Sequence, residues 1–146
     1  MKVALFGGTG FVGTYLTEEL LNNNHTPVLL ARAGSENKIT RAKDCVINTG
    51  DVSDKNIIED TIRDVDAVIY NIGLIRQFPR KGITFENTHF KGAKLCIDTA
   101  SRLGVKRIIL KSANGVKYEG TEYQSTKFLA DQYLKNSTLD LSLIHI

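Results

Sequence analysis

The stretch Gly7-Gly8-Thr9-Gly10-Phe11-Val12-Gly13 follows an apolar run, Val3 to Phe6, and leads into an amphipathic segment. That order, strand then glycines then helix, constrains the fold more than any other feature of the chain. The spacing satisfies G-x-x-G-x-x-G through Gly7, Gly10 and Gly13, and G-x-G-x-x-G through Gly8, Gly10 and Gly13. Gly7 permits a tight turn off the strand. Gly10 lets backbone approach a pyrophosphate, and Gly13 lets the helix pack close to the sheet. The free N–H groups at the helix start, with Thr9, Phe11 and Val12 around them, point at an anion that the helix dipole favours. The loop therefore reads as the phosphate cradle of a dinucleotide site.

The rest of the chain alternates in the same way. Phe11, Val12, Tyr15, Leu16 and Leu20 recur at helical spacing, with Thr14, Thr17 and Glu18 off that face, until Asn22-Asn23-Asn24 stops the helix. Pro27 to Ala31 reads as a buried parallel strand, and Cys45-Val46-Ile47 as a third strand after the weakly patterned residues 33–43. A helix over 54–63, capped by Asp54 or Ser53, precedes a fourth strand over 66–70. Turn residues through Pro79 and Gly82 lead to the longest helix, 83–103, stopped by Gly104. A fifth strand over 106–110, a helix over 121–136 and a sixth strand over 139–146 complete the pattern. Six strands alternating with helices specify an α/β fold, a doubly wound parallel sheet with helices on both faces. Such a sheet holds its ligand at the carboxyl ends of the strands. Residues 1–146 read as one nucleotide-binding domain without internal repeats.

Composition narrows the partners. A net charge of +3, dispersed without any run of five like charges, argues against nucleic acid as a partner. No apolar run spans a bilayer and no leader precedes the first strand, so the cytosol is the expected address. Cys45 and Cys96 lack metal or C-x-x-C spacing and read as reduced core thiols, with no metal site expected.

The candidate chemical residues all fall at expected strand ends. Where an acid would close the second strand and bind an NAD ribose, the chain has Ala31-Arg32, and no acid occurs between Glu19 and Glu36. Arg32, with Lys38 as a helper, suits the 2′-phosphate of NADP, so NADP is expected over NAD. Asp51 and Val52 stand where an adenine edge and ring would lie. Asn71 and Gly73 stand where backbone would approach the nicotinamide ribose. Tyr123 and Lys127, four apart on one helix, place an ammonium near a phenol and favour its phenolate, as a tyrosine acid or base requires. Ser112, eleven residues upstream, is expected to hold a substrate carbonyl beside that phenol. His25 and His145 read as structural.

GGTGFVG, GDVSD after the third strand, and Tyr123-Gln124-Ser125-Thr126-Lys127 together resemble the short-chain dehydrogenase/reductase superfamily. Gly82-Ile83-Thr84-Phe85-Glu86, Lys91-Gly92-Ala93, Gly104-Val105-Lys106-Arg107 and Ser112-Ala113-Asn114-Gly115 are similar to its atypical branch, which includes NmrA-like proteins and the NADPH-holding accessory subunit of respiratory complex I. The resemblance implies a bound nicotinamide cofactor and an oxidoreductase or epimerase-like activity on a small molecule. Tyr123 would donate a proton, Lys127 would orient it and the ribose, and Ser112 would polarise a carbonyl. The alternatives are a non-catalytic NADPH-bound protein docked peripherally on a respiratory complex, and a nucleotide-sensing regulator. His89 stands where relatives carry a relay asparagine, so it either relays a proton or fills space. Relatives continue past the sixth strand with a substrate lobe, which makes this chain read as the N-terminal, nucleotide-binding part of a longer protein.

Overall fold

A computed structural model describes residues 1–146. β1 (Lys2–Phe6) is buried from Val3 to Phe6 and sits in the middle of the sheet, flanked on both sides, which is why it carries no polar residue after Lys2. α1 (Phe11–Asn22) returns to β2 (Thr26–Ala31), which pairs in parallel with both β1 and β3 (Val46–Thr49). After α2 (Lys55–Ile62), the chain crosses to β4 (Ala67–Tyr70) on the other side of β1. α3 (Gly92–Arg102), β5 (Arg107–Ser112), α4 (Glu122–Lys135) and β6 (Asp140–His145) extend the sheet outward. The order is β3-β2-β1-β4-β5-β6, all parallel, as the alternating pattern requires. Its reversal falls between β1 and β4, where Phe6 pairs with Leu30 on one side and Tyr70 on the other.

One face of the sheet carries α2, α3 and α4 over a core of Phe6, Tyr70, Val68, Ile108 and Leu110, closed by Ile58, Ile62, Cys96, Ile97 and Leu134. Phe6 and Tyr70 stack with centroids 5.9 Å apart. Each such buried side chain contributes about 1.5–3 kcal/mol relative to exposure. The second face is covered by α1, with Leu16 and Leu20 against Val3, Leu5 and Leu29. No helix is long and apolar enough to cross a membrane.

Three local expectations are corrected, and residues 33–43, where the pattern gave no helix, hold only short turns. Phe11 and Tyr15 do not face the sheet: they are 80% and 61% exposed and pack edge-to-face on each other, while the small residues Gly13 and Thr17 are buried in their place. Close approach of helix to sheet excludes large rings there. Cys45 is half-buried just ahead of β3, not in the core, whereas Cys96 is fully buried. Residues 33–43 contain a 3-10 turn at Glu36–Lys38, and a second follows at Ala42–Asp44. The long helix starts at Glu86, not Ile83, and its first six residues, Glu86–Lys91, are π-helical before α3 proper.

α4 starts at a reciprocal cap: Thr121 Oγ1 accepts from Gln124 N–H at 3.3 Å, and Gln124 Oε1 accepts from Thr121 N–H at 2.9 Å. This cap fixes where Tyr123 and Lys127 leave the helix. Asp54, not Ser53, caps α2, its carboxylate accepting from the N–H groups of Asn56 and Ile57.

Candidate functional site

At the carboxyl ends of β1, β2 and β4 lies a cleft of about 300 Å³. Gly7, Thr9, Gly10, Phe11, Val12, Arg32, Asp51, Val52, Asn71 and Gly73 all line it. Gly7 has φ +91°, and a Cβ there would stand 3.1 Å from the Asn71 backbone. A Cβ on Gly10 would meet only the Gly7 carbonyl, at 3.5 Å, so the space above is open to a ligand. Gly8 and Gly13 stand behind the cleft: Gly8 against Leu29, and Gly13 so close that a Cβ would lie 2.1 Å from the Gly7 oxygen. Gly10 caps α1 with no side-chain hydrogen bond, and no acid stands in its first turn. A cradle with unused N–H groups, kept free of side-chain atoms, fits a pyrophosphate.

The other walls have separate characters. Arg32 is exposed at the rim, whereas Lys38 lies outside the lining, because its turn carries it away. Asp51 uses Oδ1 to accept from both the N–H and the hydroxyl of Ser53, at 3.0 and 2.7 Å, so its turn-forming role occupies one oxygen and leaves the other. Val52 is buried against the glycine of α3, Gly92. Asn71 donates to the Gly7 carbonyl at 3.4 Å, while its buried Oδ1 has no protein partner.

Tyr123 and Lys127 leave α4 on one side. Lys127 is 4% exposed, donates to the Lys111 carbonyl at 3.1 Å, and brings its Nζ within 3.9 Å of the point where a side chain on Gly73 would start. Its Nζ is 5.9 Å from the centre of the Tyr123 ring. Burial first, then the Lys111 charge, lowers the Lys127 pKa to about 8, with Asp131 opposing. Tyr123 stands edge-on to Phe85 and His89.

Ser112 is corrected. Its hydroxyl is 3% exposed and donates to Asp131 Oδ2 at 2.7 Å, turned into the core beneath α4 and away from the cleft. Strand parity is the reason: Ile108, Leu110 and Ser112 share the inward face of β5, and Lys111 takes the other. Lys111 is the lining residue that sequence reasoning missed, along with Leu30, Gly50, Ile72, Leu74 and Thr88.

His89 is 2% exposed in the π-helical turn. Its Nε2 accepts from the Leu74 N–H at 2.9 Å, and its Nδ1 lies 3.3 Å from Thr126 Oγ1. Thr126 gives its own proton to the Glu122 carbonyl, so Nδ1 carries the imidazole proton. Burial, then Lys127 and Lys111, lowers its pKa to about 3. His89 is thus a neutral clamp between the cleft wall and α4.

With this geometry in view, the family described as NAD(P)H-binding matches residues 7–146. The chain belongs to that family. It is 26% identical over 141 residues to mouse sterol-4-alpha-carboxylate 3-dehydrogenase, decarboxylating, covering 96% of this chain and 34% of the relative. It is 28% identical over 109 residues to the mitochondrial 40 kDa subunit of NADH-ubiquinone oxidoreductase of Neurospora crassa, covering 72% and 28%. Among solved structures, the Bordetella bronchiseptica enzyme WbmH in complex with NAD⁺ superposes with a TM-score of 0.83 at 19% identity, over 99% of this chain and 55% of that one. The resemblance to the atypical short-chain dehydrogenase and epimerase branch holds, and the match falls within the larger lengths of these proteins. The chain spans about a third of the length of the curated relatives it matches.

Proposed function

We propose that this NAD(P)H-binding domain serves a reductase of the atypical short-chain type that prefers NADP(H) and acts on a small-molecule carbonyl. The observation that carries the reading is the buried Lys127 ammonium beside Gly73, in reach of the same cleft that Arg32 and the glycine loop open onto. The loop Gly7 to Gly13 would take the pyrophosphate, and Val52 with the free oxygen of Asp51 the adenine. Arg32 would take the 2′-phosphate, and Asn71, Gly73 and Lys127 the nicotinamide ribose. When bound, the cofactor supplies a hydride to the substrate carbon. Tyr123 would give its phenolic proton to the substrate oxygen, and Lys127, charged below about pH 8, would favour the phenolate left behind. Ser112 would act at one remove, fixing Asp131, whose charge opposes the loss of the Lys127 proton. Holding nucleotide without turnover would need the loop and Arg32 but not Tyr123 beside Lys127, so the pair favours reduction. The free thiols Cys45 and Cys96 suit a reducing compartment such as the cytosol.

Arg32→Ala tests the cofactor choice. A charge-assisted contact contributes about 1.5–3 kcal/mol, or roughly ten- to a hundred-fold in affinity. NADPH fluorescence titration should show that loss while NADH binding stays unchanged. A wild type that binds NADH as tightly as NADPH overturns the preference.

A further inference from the structure

A tight hairpin projects from the rim of the cleft. After Leu74, a lining residue, the chain leaves the cleft and rejoins its wall only at Thr88. Phe78 and Ile83 face each other across the hairpin, with the Phe78 N–H donating to the Ile83 carbonyl at 2.7 Å and the return bond at 3.3 Å. Pro79–Lys81 form its turn, and Gly82 closes it at φ +68°, a conformation that suits glycine. Gln77 fixes the base: its Oε1 accepts from the Phe85 N–H at 2.8 Å and its Nε2 donates to Glu122 at 2.9 Å. This ordered excursion gives to water what a fold normally withdraws, since Ile75 is 96% exposed and Phe78 46%. Three cations, Arg76, Arg80 and Lys81, stand exposed beside them and enter no ion pair. The Arg76 guanidinium lies 5.5 Å from the centre of the Phe78 ring. No acid occurs between Asp66 and Glu86, and the acids that border the hairpin are engaged, Glu86 with Lys91 and Glu122 with Gln77.

We propose that this hairpin docks the domain on an anionic lipid bilayer, with Ile75 and Phe78 entering the interface and Arg76, Arg80 and Lys81 meeting the headgroups. Charge and shape both favour that occupant. Three unpaired cations complement a surface of anionic lipid, and their long stems can lie along the apolar side chains while the charged heads stay among the headgroups. The apolar atoms are carried on a projecting tip, which a soft interface can admit to the shallow depth that such anchors reach. Anionic lipids face the cytoplasm, the reducing compartment that the free thiols suit. Because the hairpin grows from the cleft wall, docking brings the cleft rim close to the headgroups. The proposal rests on the hairpin and not on the reaction assigned to the cleft.

The test is flotation of the 146-residue chain with phosphatidylcholine vesicles, with and without phosphatidylserine. Binding should require phosphatidylserine and fall as salt is added. Each cation near an anionic surface is worth about fivefold in partitioning, so Arg76→Gln, Arg80→Gln and Lys81→Gln together should weaken binding roughly a hundredfold. Ile75→Ser, at a side chain that the fold leaves 96% exposed, should weaken it about tenfold with the melting temperature unchanged. The chain has no tryptophan, so Ile75→Trp reports insertion directly. Its emission should shift to the blue on phosphatidylserine vesicles, and that of Lys135→Trp, at the far end of α4, should not. Equal binding to neutral vesicles or an unshifted Ile75→Trp overturns the proposal. An Ile75→Ser variant that binds like the wild type reduces the effect to adsorption of charge and overturns the anchor. Absence of vesicle binding overturns it outright, and self-association of the wild type that Ile75→Ser abolishes would then assign the tip to a second copy of the chain.

Discussion

Acid should loosen the cleft through one residue, His89. In the folded protein its Nε2 already faces the Leu74 N–H at 2.9 Å, so a second proton would set two donors against each other. Burial and the charges of Lys127 and Lys111 act in the same direction, and together they lower the pKa to about 3 against an ordinary 6.5. The sign follows from linkage: between those values the unfolded chain takes up a proton that the folded chain refuses. Stability from this group is therefore complete above pH 6.5 and falls as the pH drops toward 3. At about 1.4 kcal/mol per unit, acidification to pH 5 removes about 2 kcal/mol. With an m-value of about 1–3 kcal/mol/M, that lowers the urea midpoint by roughly 1 M. His89→Gln offers the same acceptor to Leu74 and a donor to Thr126 but does not titrate, so its midpoint should fall less than that of the wild type between pH 7 and 5, by that amount. NADPH affinity should weaken in the same window in the wild type, because Leu74 lines the cleft. Parallel loss of stability in both proteins, or an imidazole resonance that titrates above about pH 5.5, refutes the clamp.

Other outcomes follow from single contacts. Gly13→Ala forces a methyl 2.1 Å from the Gly7 oxygen and 2.7 Å from Gly8 Cα, so NADPH binding should be lost and the melting temperature lowered; unchanged titration and melting would refute the loop geometry. Gly92→Ala meets the Tyr70 hydroxyl at 2.5 Å and Val52 at 3.0 Å, and urea unfolding should show a loss of about 1–3 kcal/mol, as overpacking does. Lys127 keeps a lowered pKa of about 8 when folded, so its charge is lost as pH rises through 8, and stability should climb from there toward pH 10.5 as the unfolded chain alone stays protonated. Nucleotide affinity should fall over the first of those steps in the wild type and stay flat in Lys127→Met. In a catalytically active longer form, Tyr123→Phe should cut NADPH turnover about 10²- to 10⁴-fold with nucleotide affinity kept, and an indifferent variant would remove Tyr123 from the chemistry.

What the sequence made legible was whatever depends on chain order. A strand, a glycine turn and a helix in succession specify the β1–α1 joint, and buried runs such as Val28 to Ala31 can only be central parallel strands. Arg32, Asp51, Asn71 and Gly73 then follow by counting to strand ends, because the strands of a parallel sheet all end on the ligand side. What failed was side-chain direction. Counting apolar residues placed Phe11 and Tyr15 inward, although the demand at that helix is for small volume, which Gly13 and Thr17 meet and no hydrophobicity pattern reports. The π-helical turn at Glu86–Lys91 was equally invisible, since it breaks the 3.6-residue period by which helices are found, and it is this turn that carries the buried His89 toward Leu74 and Thr126.

The Ser112 correction differs, because its signal was present and unread. Ile108 and Leu110 are core residues, so a period of two puts Ser112 on their side and Lys111 on the other. Parity alone thus exchanges the neutral hydroxyl for an ammonium as the β5 residue that meets the cleft. That exchange changes what the site can recognise. A serine beside Tyr123 would mark a neutral carbonyl by one hydrogen bond. A lysine whose ammonium stands near that of Lys127 favours negative charge in the cleft and opposes retention of the Lys127 proton.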